Sequence, residues 1–179
     1  MTGTLGDSAA GLRILQSPGK RWQGPASIRN ILIRRHRTPE PRVKTAWALA
    51  RSRIRVTSMI DISDGLTQDL GHILKAAKAG AELWENAIPI SKPLIKHSLK
   101  NKLPALEMAL GGGEDYELLF TLPPEDVKKL NIGSITKAEQ PVTQIGVITD
   151  GKGIRLKDQE GRTHSLQKPL GFNHFKNKS

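Results

Sequence analysis

The spacing of apolar residues along the chain predicts alternating strands and helices. Apolar residues from Val56 to Ile60 predict a buried strand. Apolar residues from Leu66 to Ala77 then recur at helical spacing and predict a helix that stops at Gly80. Further strands are predicted at 81–85, 116–122, 142–148 and 153–156, with a turn at Asp150-Gly151 joining the last two. Other predicted helices begin near Asp7 or Ser8 as the cap, Pro41, Ser91, Leu106 and Pro123. This order predicts an α+β fold, with three α/β/α layers and a central mixed sheet.

Two carboxylates and a hydroxyl stand at the junction between the strand at 56–60 and the helix after it. The junction reads SMIDISDGL, which places Asp61, Ser63 and Asp64 where the strand ends and the helix begins. Carboxylate oxygens suit Mg²⁺, and free N–H groups at a helix start attract phosphate. The junction therefore predicts a site for Mg²⁺ and a polyphosphate. Alternatively, Ser63 or Asp64 only caps the helix, which would stabilise it by roughly 0.3–1 kcal/mol.

A glycine-rich loop with two acids precedes the strand predicted at 116–122. Residues 111–121 read GGGEDYELLFT, so Glu114 and Asp115 directly follow three glycines. Glycine lacks a Cβ and allows the backbone to approach a ligand closely. This loop is therefore a second candidate for a ligand site.

Several separated strings of the sequence resemble one known family. The segments at 58–66 and 111–121, followed by GFNHF at 171–175, occur in the order found in thiamine-monophosphate kinases, of the superfamily that includes aminoimidazole ribonucleotide synthetase. The strings at 2–12 and 39–43 resemble further parts of that family. The resemblance implies a fold like the C-terminal domain of aminoimidazole ribonucleotide synthetase. It also implies transfer of the γ-phosphoryl group of ATP to thiamine monophosphate.

Matched residue by residue, the resemblance implies a role for five side chains. Asp61 and Asp64 would bind Mg²⁺, and Ser63 would hydrogen-bond the phosphates of ATP. Glu114 would contact thiamine monophosphate, and the ring of Phe172 would stack on its heterocycle. These residues would position two anions and neutralise their charge, and no covalent nucleophile is required.

Simpler interpretations stand beside some of these assignments. Glu114 and Asp115 would be exposed loop acids, and Phe172 would be an anchor of the hydrophobic core. Asp69 and His72, three residues apart on the predicted helix, are expected to be a solvated pair rather than metal ligands.

The resemblance also sets an expectation for the domain organisation. The resemblance implies a two-domain protein whose N-terminal domain binds ATP and Mg²⁺. Residues 1–179 are expected to form a single C-terminal, substrate-side domain, with the N-terminal domain absent. We therefore expect the chain to be inactive alone and to have a separate or lost N-terminal domain as its partner.

Composition and charge narrow the classes of function. The chain has no cysteine, and no apolar stretch reaches the roughly 18 residues that span a bilayer, so we expect a cytoplasmic protein with no membrane partner. Its net charge of +11 is concentrated in residues 1–56, which hold 12 Lys and Arg against 2 Asp and Glu. Trp22 and Trp47 lie near these basic residues, as in nucleic-acid surfaces, but no nucleic-acid motif accompanies them. A face turned to solvent or to a partner domain is the favoured interpretation of this basic segment. For the whole chain, the alternatives to a kinase are a non-catalytic domain that binds phosphate or thiamine phosphate, and a basic RNA-associated protein.

Overall fold

The computed structural model describes residues 1–17, 24–130 and 141–166. The helices are α1 (Asp7–Leu15), α2 (Ala26–Arg37), α3 (Val43–Arg51), α4 (Leu66–Ala77), α5 (Lys92–Asn101), α6 (Ala105–Gly111) and α7 (Pro124–Leu130), with a 3₁₀ turn at Glu85–Ala87. The strands are β1 (Ser58–Asp61), β2 (Gly80–Trp84), β3 (Leu118–Thr121), β4 (Gly146–Thr149), β5 (Gly153–Lys157) and β6 (Thr163–Ser165).

The strands of the described residues form two sheets. Strands β1 and β3 pair antiparallel, with Ser58 opposite Thr121 and Asp61 opposite Leu118. The second sheet has the order β4-β2-β5-β6, in which β2 is parallel to β5 and the other neighbours are antiparallel. The predicted α+β class with a mixed sheet is confirmed.

The predicted turn at Asp150-Gly151 does not join two paired strands. Strands β4 and β5 lie on opposite sides of β2. Strand β2 buries Ala81 and Leu83, which belong to the same hydrophobic cluster as Ile154 of β5. A hairpin of β4 and β5 alone would leave this strand without neighbours on either side, so the longer-range pairing buries more apolar surface. Strand β6 was not predicted because its three residues are all exposed and carry no apolar pattern.

The basic stretch 29–37 forms most of α2, a helix that the apolar pattern did not predict. This helix buries only Leu32 and Ile33 and ends with four basic residues. It packs against α1 at Gly11, where an added Cβ would overlap the carbonyl oxygen of Leu32. The absence of a side chain at Gly11 therefore lets the two helices approach closely.

Two predicted helix starts have different outcomes. Ser91 caps α5 by accepting a hydrogen bond from the N–H of Leu94 at 3.1 Å, as expected. Neither Asp7 nor Ser8 caps α1. The cap position is held by Gly6, which has no side chain to accept a hydrogen bond. The Asp7 carboxylate instead accepts hydrogen bonds from the hydroxyls of Thr4 and Ser91.

The largest hydrophobic cluster lies between α4 and the four-stranded sheet. Leu66, Leu70 and Leu74 of α4 pack in it with Leu83 and Leu156 from two neighbouring strands. This aliphatic core agrees with the low aromatic content of the chain. Within the described ranges, no helix combines the length and apolarity that a membrane span requires.

Candidate functional site

The two segments that carry the predicted site residues lie against each other at the end of the β1–β3 pair. The N–H of Ile62 donates to the carbonyl of Glu117 at 2.8 Å, and the N–H of Tyr116 donates to the carbonyl of Ile62 at 2.9 Å. One step further, the N–H of Glu114 donates to the carbonyl of Ser63 at 2.8 Å. Residues 62–65 and the glycine loop are therefore one backbone-bonded unit.

Two glycines make this contact possible. Gly113 has φ of 36°, and a Cβ there would lie 2.5 Å from the carbonyl oxygen of Ser63. Gly65 has φ of 116°, and its Cβ would lie 3.0 Å from the backbone of Gly111. Both glycines therefore admit the backbone of the opposing segment, and close approach of a ligand to the glycines at 111–113 stays a prediction.

The structure places four of the five predicted site residues around this unit. Asp61 is exposed at the last position of β1, Ser63 and Asp64 are half-buried, and Glu114 is exposed with φ of 59°. The backbone bond between Ser63 and Glu114 joins the predicted ATP-binding and substrate-binding segments. Phe172 lies outside the described residues, so its role stays a prediction.

Asp69 organises the start of α4, and it is not the solvated residue that was expected. Its side chain is buried, with only 2% of the residue exposed. Its Oδ2 atom accepts hydrogen bonds from the N–H groups of Ser63 at 3.0 Å, Asp64 at 3.1 Å and Gly65 at 3.1 Å. Burial raises the pKa of Asp69, and the nearby Asp64 carboxylate adds to this, while the three N–H donors oppose it. His72 is exposed, as expected.

These hydrogen bonds also occupy the backbone N–H groups just before α4. The N–H groups of Ser63, Asp64 and Gly65 donate to Asp69, so the expectation of free N–H groups for a phosphate is wrong at these three positions. The alternative in which Ser63 or Asp64 caps the helix is also wrong, since the cap residue is Gly65, which has no side chain to accept a hydrogen bond. Asp64 uses Oδ2 to accept a hydrogen bond from Gln68 Nε2 at 2.9 Å.

The donor set fits a divalent cation. Asp64, Asp69 and His72 each offer one ligand atom, and these atoms lie within 4.8 Å of one another. Asp61 is not a member of that group, but it is exposed at the end of the adjacent strand. Carboxylate oxygens suit Mg²⁺, whereas an imidazole is more typical of transition metals. The cluster therefore includes Asp64 but not Asp61, and the assignment of Mg²⁺ to Asp61 and Asp64 stays a prediction.

A buried ion pair behind the glycine loop was missed by sequence reasoning. Glu117 is fully buried and accepts two hydrogen bonds from Arg42, at 2.7 Å from Nε and 2.6 Å from Nη2. Its Oε2 also accepts a hydrogen bond from the Thr2 hydroxyl at 2.7 Å. The strings at 2–12 and 39–43 contain two of these residues, but the spacing along the chain does not indicate that they meet.

Asp115 connects the glycine loop to the start of α1. Its carboxylate accepts hydrogen bonds from the N–H of Gly6 at 2.7 Å and from the N–H of Ser8 at 3.1 Å. Burial raises the pKa of Asp115 to about 7, with smaller contributions from the charges of Asp7 and Glu117, and the two N–H donors oppose this. Asp115 therefore holds the N-terminal segment against the loop, and it is half-buried rather than the exposed loop acid of the simpler interpretation.

The basic segment 1–56 is only partly a free surface. Its His36 has Nδ1 at 3.2 Å from Glu114 Oε2 and at 3.0 Å from Ser8 Oγ, and Arg35 pairs with the buried Asp7 at 3.8 Å. Together with Arg42, these residues face acids inside the chain. The expectation of a wholly solvent-facing or partner-facing segment is therefore wrong for them. Other residues of the segment are exposed, including Trp47. The guanidinium carbon of Arg51 lies 4.7 Å from the centre of the Trp47 ring.

Comparison with known proteins gives consistent relatives. The chain is 44% identical to thiamine-monophosphate kinase of Buchnera aphidicola subsp. Schizaphis graminum over 176 residues, and 41% identical to that of Escherichia coli (strain K12) over 181 residues. Each match covers 98% of this chain and 51% of the relative. The solved structure "AaThiL complexed with AMPPCP and TMP" matches with a TM-score of 0.77 and 31% identity, covering 97% of this chain and 50% of that one.

The matches cover nearly all of this chain but only part of each relative. The chain spans about half the length of the curated relatives it matches. The model of the family "AIR synthase related protein, C-terminal domain" matches residues 21–159, which is most of the chain. This chain therefore belongs to the family of AIR synthase related protein C-terminal domains.

Proposed function

We propose that this chain is the C-terminal, substrate-side part of a thiamine-monophosphate kinase, which transfers the γ-phosphoryl group of ATP to thiamine monophosphate and forms thiamine diphosphate. The observation that carries the proposal is the backbone bond between Ser63 and Glu114, which joins the two predicted binding segments. The names of the relatives and the AMPPCP and TMP of the related structure support it.

In this proposal Asp61 and Asp64 bind Mg²⁺, and Ser63 hydrogen-bonds the phosphates of ATP. Mg²⁺, when bound, offsets the repulsion between the two phosphate groups that must meet. Asp64 is suited to this role because its backbone is fixed by Asp69. The proposal needs no nucleophilic side chain, since the phosphate of the acceptor attacks.

Glu114 and Phe172 contact thiamine monophosphate in the same proposal. Glu114 is exposed in the glycine loop, and His36 Nδ1 lies 3.2 Å from its carboxylate. A cationic thiazolium over the ring of Phe172 would gain roughly 0.5–2 kcal/mol. His36 therefore restricts the positions that the Glu114 carboxylate can take.

The proposed reaction requires a second set of ligands. We assign most of the ATP and Mg²⁺ contacts to the half of the relatives that this chain does not span, and we propose that half as the partner. The chain tested alone is then inactive. A cytoplasmic location belongs to the same proposal, because the reaction consumes ATP.

The test is reconstitution. The purified chain is mixed with the other half of the Escherichia coli relative, ATP, Mg²⁺ and thiamine monophosphate, and formation of thiamine diphosphate is measured. We expect no product from the chain alone and product from the mixture. Asp61→Asn and Asp64→Asn should each lower the rate strongly, since an amide keeps the shape but loses the charge.

The control variant is Asp150→Asn, an exposed aspartate in the bend between β4 and β5. It should leave the rate unchanged. Turnover by the chain alone at the rate of the mixture would contradict the proposed division of the site. Equal rates for wild type, Asp61→Asn and Asp64→Asn would remove the metal role, and binding of thiamine monophosphate without any turnover of the mixture would favour a non-catalytic binding domain.

A further inference from the structure

We infer that Asp69 is a positioning residue, whose buried carboxylate holds residues 63–65 so that Asp64 can bind its cation. The inference rests on the proposed function for the identity of that cation as Mg²⁺. The hydrogen bonds on which it is built do not depend on that proposal.

The geometry around Asp69 is convergent. Three consecutive N–H groups, of Ser63, Asp64 and Gly65, donate to its Oδ2 atom at 3.0–3.1 Å. Three successive amides that converge on one anion form a closed backbone curve around it, as in an anion-binding nest. The anion in this nest is a side chain of the same protein, four to six residues further along the chain.

Residue 63 is fixed from two directions. Its N–H donates to Asp69, and its carbonyl accepts the N–H of Glu114 at 2.8 Å. Both backbone groups of Ser63 are therefore satisfied by the protein. A loop restrained in this way loses little additional conformational freedom when it binds a ligand.

The restraint is important because of what Asp64 must do. Asp64 is half-buried in a loop, and a metal ligand must be held within about 0.5 Å of the productive geometry. A charged acceptor forms stronger hydrogen bonds to N–H groups than a neutral one. Asparagine at position 69 would keep an acceptor oxygen but lose the charge, so the loop should loosen without losing its shape.

A direct metal role for Asp69 is the main alternative. Asp69, Asp64 and His72 offer ligand atoms within 4.8 Å of one another. However, one oxygen of Asp69 is already engaged by three donors, and the residue is 2% exposed. If the three residues bound the ion together, removing His72 would weaken binding as much as changing Asp69. The two roles are therefore separable by experiment.

The first measurement uses Mn²⁺ as a spectroscopic substitute for Mg²⁺. Mn²⁺ is titrated into the chain and free ion is followed by electron paramagnetic resonance, for wild type, Asp64→Asn, Asp69→Asn and His72→Ala. We expect Asp64→Asn to abolish the tightest binding. Asp69→Asn should weaken it about tenfold, as loss of a supporting partner of a metal ligand does. His72→Ala should leave it unchanged.

The second measurement reports on the loop itself. Amide hydrogen exchange is followed by NMR in wild type and Asp69→Asn. We expect faster exchange at residues 63–65 and unchanged exchange in β5, which lies in the other sheet. If Asp69→Asn fails to fold, Asp69→Glu, which keeps the charge but moves the carboxylate by one methylene, is compared instead, and it should likewise speed exchange at residues 63–65 and weaken Mn²⁺ binding. In the reconstituted mixture, Asp69→Asn should raise the Mg²⁺ concentration needed and lower kcat, with KM for thiamine monophosphate unchanged.

Each outcome decides the inference. Unchanged Mn²⁺ affinity in Asp69→Asn would overturn it, whether or not the amides exchange faster. Equal weakening in His72→Ala and Asp69→Asn would also overturn it, in favour of a direct ligand set. If Asp64→Asn itself binds Mn²⁺ like wild type, the proposed metal role fails as well, and this arm distinguishes the two failures.

Discussion

The buried pair of Arg42 and Glu117 offers a sharp test of how the site is held together. Its two side chains are 4% and 1% exposed and are joined by two hydrogen bonds of 2.7 and 2.6 Å. Replacing Arg42 with Met removes the partner but leaves a carboxylate without a compensating charge in the interior. Breaking a buried pair from one side destabilises a protein by about 3–5 kcal/mol. For a chain of this size, the melting temperature should fall by roughly 10 °C or more.

The assay is urea unfolding, with two comparison variants. Arg42→Met/Glu117→Gln removes both charges and keeps an oxygen that can accept the Thr2 hydroxyl, so it should regain half or more of the lost free energy. Arg55→Met breaks the exposed pair with Glu125, whose atoms are 3.4 Å apart and whose side chains are 69% and 66% exposed. That change should cost less than about 1 kcal/mol.

Two results would refute this reasoning. One is an Arg42→Met variant that unfolds at the same urea concentration as wild type. The other is a double variant as unstable as Arg42→Met, because the loss would then come from packing of the Arg stem rather than from the uncompensated charge. Since the carbonyl of Glu117 accepts the N–H of Ile62, loss of the pair should also lower activity in the reconstituted mixture.

Three further predictions concern pH, the glycine loop and the partner. Burial raises the pKa of Asp115 to about 7, above about 3.9 in the unfolded chain, so the folded chain binds the extra proton between these values. Its free energy of unfolding should therefore fall by about 2–3 kcal/mol as pH rises from about 5 to about 8. Urea unfolding of wild type and Asp115→Asn checks this, and parallel pH profiles would contradict it. Gly113→Ala should destabilise the chain and weaken Mn²⁺ binding because its Cβ would lie 2.5 Å from the Ser63 carbonyl oxygen. Gly153→Ala, also at positive φ but with nothing within 4 Å, should leave Mn²⁺ binding unchanged, and equal weakening in both would exclude the loop clash as the cause. Adding the other half of a relative should raise the melting temperature, less so at high salt, because residues 1–56 carry a net charge of +10. A melting temperature that does not move would mean that the exposed part of this charge does not contact that partner.

Local sequence determined the features that depend on near neighbours. Apolar spacing placed most helices and strands, because burial of one face is encoded every two or every 3.6 residues. The junction at 58–66 was correctly located between β1 and α4 for the same reason. Helix α2 was missed because only Leu32 and Ile33 are buried in it, so its stability comes from packing on α1 rather than from an apolar stripe of its own.

Tertiary structure alone decided which polar groups meet. Arg42 and Glu117 are 75 residues apart in the chain, and no periodicity indicates that they pair. Asp69 is near its partners in sequence, yet its polar character suggested a solvated position, whereas the folded chain leaves only 2% of the residue exposed. Likewise, only the tertiary structure places β2 between β4 and β5. Pairing of strands and burial of charge depend on the free energy of long-range contacts. This free energy competes with local conformational preference and cannot be inferred from any short stretch of sequence.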